Sequence, residues 1–319
     1  MHSEPYIEIL LASYNGEKFI EEQIDSILSQ SHTHFRLIIS DDGSTDQTRQ
    51  IIEKKMSQTD KILLLPPRSN GGVIQNFSRL MEHSKAQYIM LSDQDDIWFT
   101  DKIEKTLKRM LELEKQNGHH LPLLVHTDLH VVDQDLQSIS SSFSQYVQIA
   151  PERPSSLYRL LGQNVVTGCT TMMNRPLLQL SLPIPQETLM HDWWLALTAT
   201  AFGKIAYLQE PTMFYRQHSH NQVGARNGNV FKMTVAFLKN RKKYIENASK
   251  ALLKQEMQAK KLASRYELQL PKEKLKLIKA FIAWSQGSFR KKILTTYRYG
   301  FVKKGILKNL GALVISLLK

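Results

Sequence analysis

Three carboxylates fall within four positions at Asp93, Asp95 and Asp96, directly behind the apolar run Tyr88-Ile89-Met90-Leu91-Ser92 and ahead of Ile97-Trp98. Like charges packed that closely raise one another's pKa unless a positive group sits among them, and a divalent cation is the simplest such group. An all-oxygen set suits Mg²⁺ or Mn²⁺, which take few protein ligands and fill their shells with water and phosphate oxygens. In an extended segment Asp93 and Asp95 face one way and Asp96 the other. An acidic turn or a helix cap is the plain alternative, because Asp is favoured in both places.

Two further stretches carry candidate chemistry. Met190-His191-Asp192-Trp193-Trp194 opens a helix continuing through Leu195, Leu197 and Ala201, with Asp192 in its first turn, where the helix dipole favours a carboxylate. The flanking rings would desolvate that carboxylate and move its pKa toward the range of a general base. Met213-Phe214-Tyr215-Arg216-Gln217-His218-Ser219-His220-Asn221 leads an aromatic approach into one guanidinium, two imidazoles and an amide. Arg suits bidentate phosphate contact and His suits a third metal position or the diphosphate, although a loop His is also at home in solvent. His126, Asp128 and His130 alternate along an apolar run and are best explained as the polar face of a half-exposed strand rather than as a metal set.

The elements that must position these groups alternate regularly. Tyr6 to Ala12 predicts a strand, Ser13-Tyr14-Asn15-Gly16 a turn, and Ile20, Ile24, Ile27 and Leu28 a helix. Phe35 to Ser40 predicts a second strand, ending in Asp41-Asp42-Gly43-Ser44-Thr45-Asp46 before a helix with Ile51 and Ile52. Lys61 to Leu65, a helix through Ile74, Phe77, Leu80 and Met81, and the strand feeding the acidic cluster complete a βαβαβ pattern. That pattern argues for a parallel sheet with helices on both faces and functional loops along one edge. Thr100 to Glu114 reads as a helix, Leu123 to Thr127 and Leu129 to Val132 as two strands, and Gln137 to Pro154 as a long loop near the site. Asn164 to Met173 reads as a strand broken by Gly168, and Lys204 to Leu208 as a strand stopping before Pro211.

The charge is segregated. Of 319 residues with a net charge of +12, those from Val230 onward hold 22 Lys and Arg against 4 Asp and Glu, leaving the preceding part acidic. Gly224 to Asn229 reads as a linker, so residues 1–229 form the chemical unit and 230–319 a Lys-rich helical appendage. Aromatics Phe281, Trp284, Phe289, Tyr297, Tyr299 and Phe301 interleave with the cations, a mixture that fits helices in an anionic membrane interface. No run approaches the roughly 18 to 20 apolar residues needed to span a bilayer, and the start Met1-His2-Ser3-Glu4-Pro5 has no apolar core of a leader. Cys169 is the single cysteine, which excludes an internal disulfide and points to a reducing compartment. A cytoplasmic protein peripheral to the inner face of the membrane is therefore expected.

Leu11 to Gly16, Ser40 to Asp46 and Ser92 to Trp98, in this order and at consistent strand ends, resemble the loop motifs of inverting family-2 glycosyltransferases of GT-A fold, especially bacterial rhamnosyltransferase-like members. The resemblance covers roughly residues 5–225. It implies an α/β fold with a Rossmann-like mixed sheet flanked by helices and, beyond it, the basic helical region. It implies that Ala12, Tyr14, Asp41, Asp42 and Asp93 bind the nucleotide, and that Asp93, Asp95 and His218 hold Mn²⁺ or Mg²⁺. Asp192 would be the base, with His191 replacing the usual acidic neighbour. Arg216, His218, Asn221 and Trp193 would serve the diphosphate or the acceptor. The implied donor is a dTDP- or UDP-linked sugar, with L-rhamnose the leading candidate, and the acceptor a glycan or lipid-linked precursor. Nucleic acid is not expected as a partner, because no reader motif accompanies the charge; a homo-oligomer is left open.

A nucleotidyltransferase would need a Gly-rich triphosphate loop that Ala12 to Lys18 lacks. A two-metal nucleic-acid enzyme gives the Asp41-Asp42 pair no task. A non-catalytic membrane adaptor would leave every carboxylate as a turn residue.

Overall fold

The computed structural model describes residues 4–68, 71–151, 156–218 and 241–287. Nine strands form one mixed sheet in the order β3-β2-β1-β4-β8-β6-β9-β5, with β7 added to β6. Strands β1 (Ile7–Ser13), β2 (Phe35–Asp41), β3 (Ile62–Leu64) and β4 (Tyr88–Ser92) are parallel neighbours, as the alternation predicts. β8 (Thr171–Asn174) runs antiparallel between β4 and β6 (Leu123–Asp133), and β9 (Lys204–Gln217) runs parallel to β6.

Side chains of β1 alternate between two cores because successive residues of a strand point to opposite faces. Ile7, Ile9 and Leu11 pack with Ile20, Ile24 and Ile27 of α1 (Ile20–Leu28), Ile52 of α2 (Thr48–Met56) and Ile103, Leu107 and Met110 of α4 (Lys102–Asn117). Leu10 faces the other way, toward Phe77 and Leu80 of α3 (Gly72–His83) and Trp194 of α8 (His191–Phe202). Both faces of the central strands are thereby sealed, so only their ends can meet a ligand.

Three expectations change. Leu123 to Val132 is one strand rather than two. Its register against β9 shifts between Thr127 and Asp128, where Leu208 is followed in pairing by Pro211. A bulge absorbs the proline, which cannot donate to a regular ladder, and β9 continues to Gln217 instead of stopping at Leu208. The second change concerns His126 and Asp128, which are buried rather than half-exposed. Asp128 accepts from Ser142 and Ser144 of the following segment, which holds β7 (Ser138–Ser140) and a short helix α5 (Phe143–Tyr146) where a loop was expected. Third, Gly168–Thr170 is a 3-10 turn that precedes β8, not part of a strand.

The C-terminal helices that lie within the described residues are α9 (Arg241–Arg265) and α10 (Lys272–Gln286). Ala259, Leu262, Tyr266, Ile278, Phe281 and Trp284 share a core with Leu157 and Leu160 of α6 (Leu157–Gly162), with Leu177 of α7 (Arg175–Ser181) and with Trp194. Phe281 and Trp284 are therefore core residues, not membrane-interface rings. Several cations of this region also brace the body. Lys274 Nζ donates to the carbonyls of Thr200 and Ala201, both at 2.9 Å, in the last turn of α8, where a cation complements the helix dipole. Arg265 donates to the carbonyls of Leu182 and Pro183. The expected linker 224–229 and the basic clusters beyond Gly287 lie outside the described residues.

Candidate active site

Every candidate carboxylate sits where a buried strand or helix gives way to a loop at the same edge of the sheet. The first two loops are laced together. Ser13 Oγ donates to Asp41 Oδ1 at 3.1 Å, Asn15 N donates to Ser44 Oγ at 2.8 Å, and Thr45 N returns a bond to Asn15 Oδ1 at 2.9 Å. Asn15 adopts φ 48°, a left-handed conformation that Asn tolerates. Asp42 accepts the backbone amides of Gly71 at 2.8 Å and Gly72 at 2.7 Å. Gly72 has φ 76°, open to glycine without strain, so two successive N–H groups can converge on one carboxylate. Ala12 lies half-buried at the end of β1, and Tyr14 is exposed beside it.

The acidic loop crosses between β4 and β5 (Ile97–Trp98), and β5 pairs antiparallel with β9. Residues 93–96 turn instead of extending, so period-two alternation does not govern them. Asp93 and Asp96 converge with Cys169, their ligand atoms within 4.8 Å of one another, while Asp95 meets His218, the residue after β9. Asp95 Oδ2 lies 2.8 Å from His218 Nε2, and the imidazole stacks on Phe19 with centroids 4.8 Å apart. Arg216 is buried over the same Phe19 ring. Its guanidinium donates to the carbonyls of Asp95 and Gln134 and to Glu22 Oε2, and its backbone N–H donates to Asp96 Oδ1 at 3.2 Å. Arg216 thus supports the acidic loop from below. Asn221 lies outside the described residues.

Asp192 stands in the first turn of α8, buried, with Oδ1 accepting from Asn164 Nδ2 and Oδ2 from the backbone of Gly168, each at 3.1 Å. Burial pushes its carboxyl up to about 7, against the pull of those donors. His191 stacks face to face on Phe77, centroids 4.0 Å apart, and neither ring nitrogen has a hydrogen-bond partner. Burial drives its pKa down to about 3, so it is neutral. Trp193 donates its indole N–H to the carbonyl of Leu160 at 2.5 Å, an anchor for the start of α8.

Electrostatics tie the two halves together. Asp93 is pushed up to about 7 by burial, then by the charge of Asp95 and that of Asp192. Asp96 rises well above the usual carboxylate range for the same first cause, with Asp95 and Asp93 adding to it, and its Oδ2 has no hydrogen-bond partner although it is buried. A group of carboxylates strained in this way, with an imidazole on its rim, fits a hard or borderline divalent cation.

Several contributors escape notice in the sequence. Gln94 clasps Tyr14 by both backbone groups, accepting from N at 2.8 Å and donating to O at 3.0 Å, and so couples the first loop to the third. Asn164 and the Gly168 turn hold Asp192. Lys102 lies under the acidic loop, and its one signal was a charged position on the buried stripe of Thr106, Met110 and Leu113.

The Glycosyl transferase family 2 family model matches residues 8–118. The chain is 33% identical to dTDP-rhamnosyl transferase RfbG of Shigella flexneri over 67% of its length and 74% of that protein. It is 28% identical to TuaG of Bacillus subtilis, described as a teichuronic acid biosynthesis glycosyltransferase, over 69% of this chain and 83% of that one. Among solved structures, residues 1–349 of S. aureus TarS in complex with UDP-GlcNAc align with a TM-score of 0.52 at 17% identity, covering 90% of this chain and 83% of that one. The chain spans 43% of a longer TarS chain. With its curled mixed sheet and motif loops along one edge, the chain belongs to glycosyl transferase family 2 and is a glycosyltransferase of GT-A fold.

Proposed function

We propose that this glycosyltransferase moves a sugar, L-rhamnose first among candidates, from a dTDP- or UDP-linked donor to a hydroxyl of a cell-surface polysaccharide or lipid-linked glycan precursor, with inversion. The likeness to RfbG supports the sugar and that to TuaG the polysaccharide. The observation that carries the reading is Asp192, buried, pushed up to about 7, and close enough to the acidic loop to raise Asp93.

Ala12, Tyr14, Asp41, Asp42 and Asp93 hold the nucleoside in this reading, Asp42 by carboxylate oxygens already oriented by Gly71 and Gly72. Asp93, Asp95 and His218 are the residues to hold Mn²⁺ or Mg²⁺, and a cation there supplies positive charge for the leaving diphosphate. Asp192 takes the proton of the acceptor hydroxyl as its oxygen bonds to the anomeric carbon. The bond from that carbon to the diphosphate oxygen breaks on the opposite face, and its electron pair leaves with the nucleoside diphosphate. One base suffices, because no covalent intermediate forms. Arg216 keeps the loop in register, while Trp193 anchors the base-bearing helix.

Residues 1–229 are the catalytic unit, and the C-terminal region lies on an anionic membrane surface at the inner face of the cell membrane. Leu253, Met257 and Leu268 are exposed on or just beyond α9 among Lys250, Lys254 and Lys260, an apolar and cationic combination suited to that surface. Among the described residues no helix is long and apolar enough to cross a membrane. The test is incubation with dTDP-rhamnose and UDP-hexoses, with Mn²⁺ or with chelator, and an oligosaccharide acceptor. Release of nucleoside diphosphate together with an anomerically inverted product is expected; release of monophosphate or pyrophosphate would refute transfer.

A further inference from the structure

Lys102 has no place in that scheme, and its setting calls for one. The side chain is fully buried, 0% exposed, at the first residue of α4. Its Nζ donates to the carbonyl of Cys169 at 2.8 Å, touches Met213 Sδ at 3.0 Å, and lies 4.4 Å over the Trp98 ring. For stability alone this is a poor arrangement, since burial disfavours the charge and the helix dipole repels a cation at this end. Burial lowers its pKa to about 8, with the nearby acidic groups of the loop working the other way, so the group is still mostly an ammonium at neutral pH.

The carbonyl it grips belongs to the Gly168–Thr170 turn. From this turn the Gly168 N–H reaches Asp192 Oδ2 at 3.1 Å, and the Cys169 thiol lies within 4.8 Å of carboxylate oxygens of Asp93 and Asp96. The turn has little slack: a methyl group at Gly168 would lie 3.0 Å from His191 Nε2. We infer that Lys102 is a positioning residue for glycosyl transfer, its buried ammonium pinning the Gly168–Thr170 turn so that the carboxylates of the donor loop and the base Asp192 are held in one geometry. This rests on Asp192 being the base. Among the described residues, Asp96 Oδ2 is buried without a hydrogen-bond partner in the same loop above the ammonium.

The experiment is Lys102→Met in the full chain, with Lys102→Met/Asp96→Asn beside it and Asp192→Asn as control. Freeing the turn moves the base by a fraction of an ångström to an ångström, a displacement worth on the order of 100-fold. In Lys102→Met, kcat should fall by that order, a larger factor than any change in donor KM or in Mn²⁺-dependent nucleotide affinity. The double variant removes both buried titratable groups and should recover thermal stability without recovering kcat. A kcat in Lys102→Met indistinguishable from wild type overturns the inference, as does a kcat that returns with Tm in the double variant. If Lys102→Met does not fold, the double variant alone decides between these outcomes. Turnover surviving in Asp192→Asn would instead fail the assignment of the base. Turnover lost there but normal in Lys102→Met fails the positioning role only.

Discussion

Replacing Asp192 by Asn probes stability and chemistry through the same buried atom pair. The carboxyl moves from 3.8 in the ordinary case to about 7 when buried here. Between those values the folded chain holds a proton that the unfolded chain has released, so wild-type stability falls as pH rises through this window and levels off above it. The full shift corresponds to a ceiling of roughly 4 kcal/mol lost by pH 8. Asn removes this penalty but introduces another. Asp192 accepts from Asn164 Nδ2 and from Gly168 N, and Asn must present an NH₂ to one of those donors. Asn164 cannot turn to help, because its own Oδ1 accepts from Val166 N at 3.0 Å. An unsatisfied buried donor costs about 1 to 3 kcal/mol. Asp192→Asn should therefore be less stable than wild type at pH 4, by about that amount, and more stable at pH 8, by about 1 to 3 kcal/mol after the two terms offset. Urea denaturation of both proteins at intervals from pH 4 to pH 8 measures the crossing. Transfer in the variant should drop by roughly 10² to 10⁴ with donor binding retained, and wild-type kcat/KM should rise with pH to a plateau above about 7. A stability difference that does not vary with pH would refute the buried, proton-holding carboxyl, and substantial transfer by the variant would refute its role as base.

Asp95→Ala should abolish the Mn²⁺ dependence of nucleotide binding, since it removes the carboxylate that His218 contacts; calorimetry showing equal affinity with and without Mn²⁺ is expected, and a wild-type metal response would remove Asp95 from the metal set. Gly168→Ala places a methyl 3.0 Å from His191 Nε2 and 3.5 Å from Asp192 Cβ, so kcat should fall while circular dichroism stays native; an unchanged kcat would show that the turn has slack. Leu253→Glu, Met257→Glu and Leu268→Glu together should weaken sedimentation with anionic vesicles while leaving Tm unaltered, and undiminished sedimentation would move membrane contact off this face. Point changes are needed for that test. Cutting the chain after Gly228 would strip Leu262, Tyr266, Ile278 and Phe281 from a core they share with Trp194.

Much of the parallel half of the sheet was legible because its signals are local. Apolar runs such as Ile7 to Leu11 and Phe35 to Ile39 are long enough to declare strands, and Gly, Asn and Asp clusters mark where they end. The helix beginning at His191, with Asp192 in its first turn, was visible for the same reason. Less legible was the antiparallel half. Whether Leu123 to Asp133 is one strand or two depends on a bulge that accommodates Pro211 in a different segment, and the burial of His126 and Asp128 depends on elements packed over them. The basic C-terminal region was readable as charge, yet Lys274 and Arg265 prove to be braces for distant carbonyls.

Residue order alone therefore carried the alternation of strand and helix and the loops along their common edge, because each depends on periodicity and turn chemistry within about a dozen residues, while the family came from the resemblance of the three motif loops. It could not say which carboxylates would meet. Asp93 and Asp96 converge on Cys169 while Asp95 pairs with His218, a partition opposite to strand alternation. Nor could it place a buried ammonium at Lys102 beneath a turn 67 residues away that also holds Asp192. Those arrangements arise from sheet order and from desolvation shared among segments far apart in the chain, and both come into being only once the chain has packed.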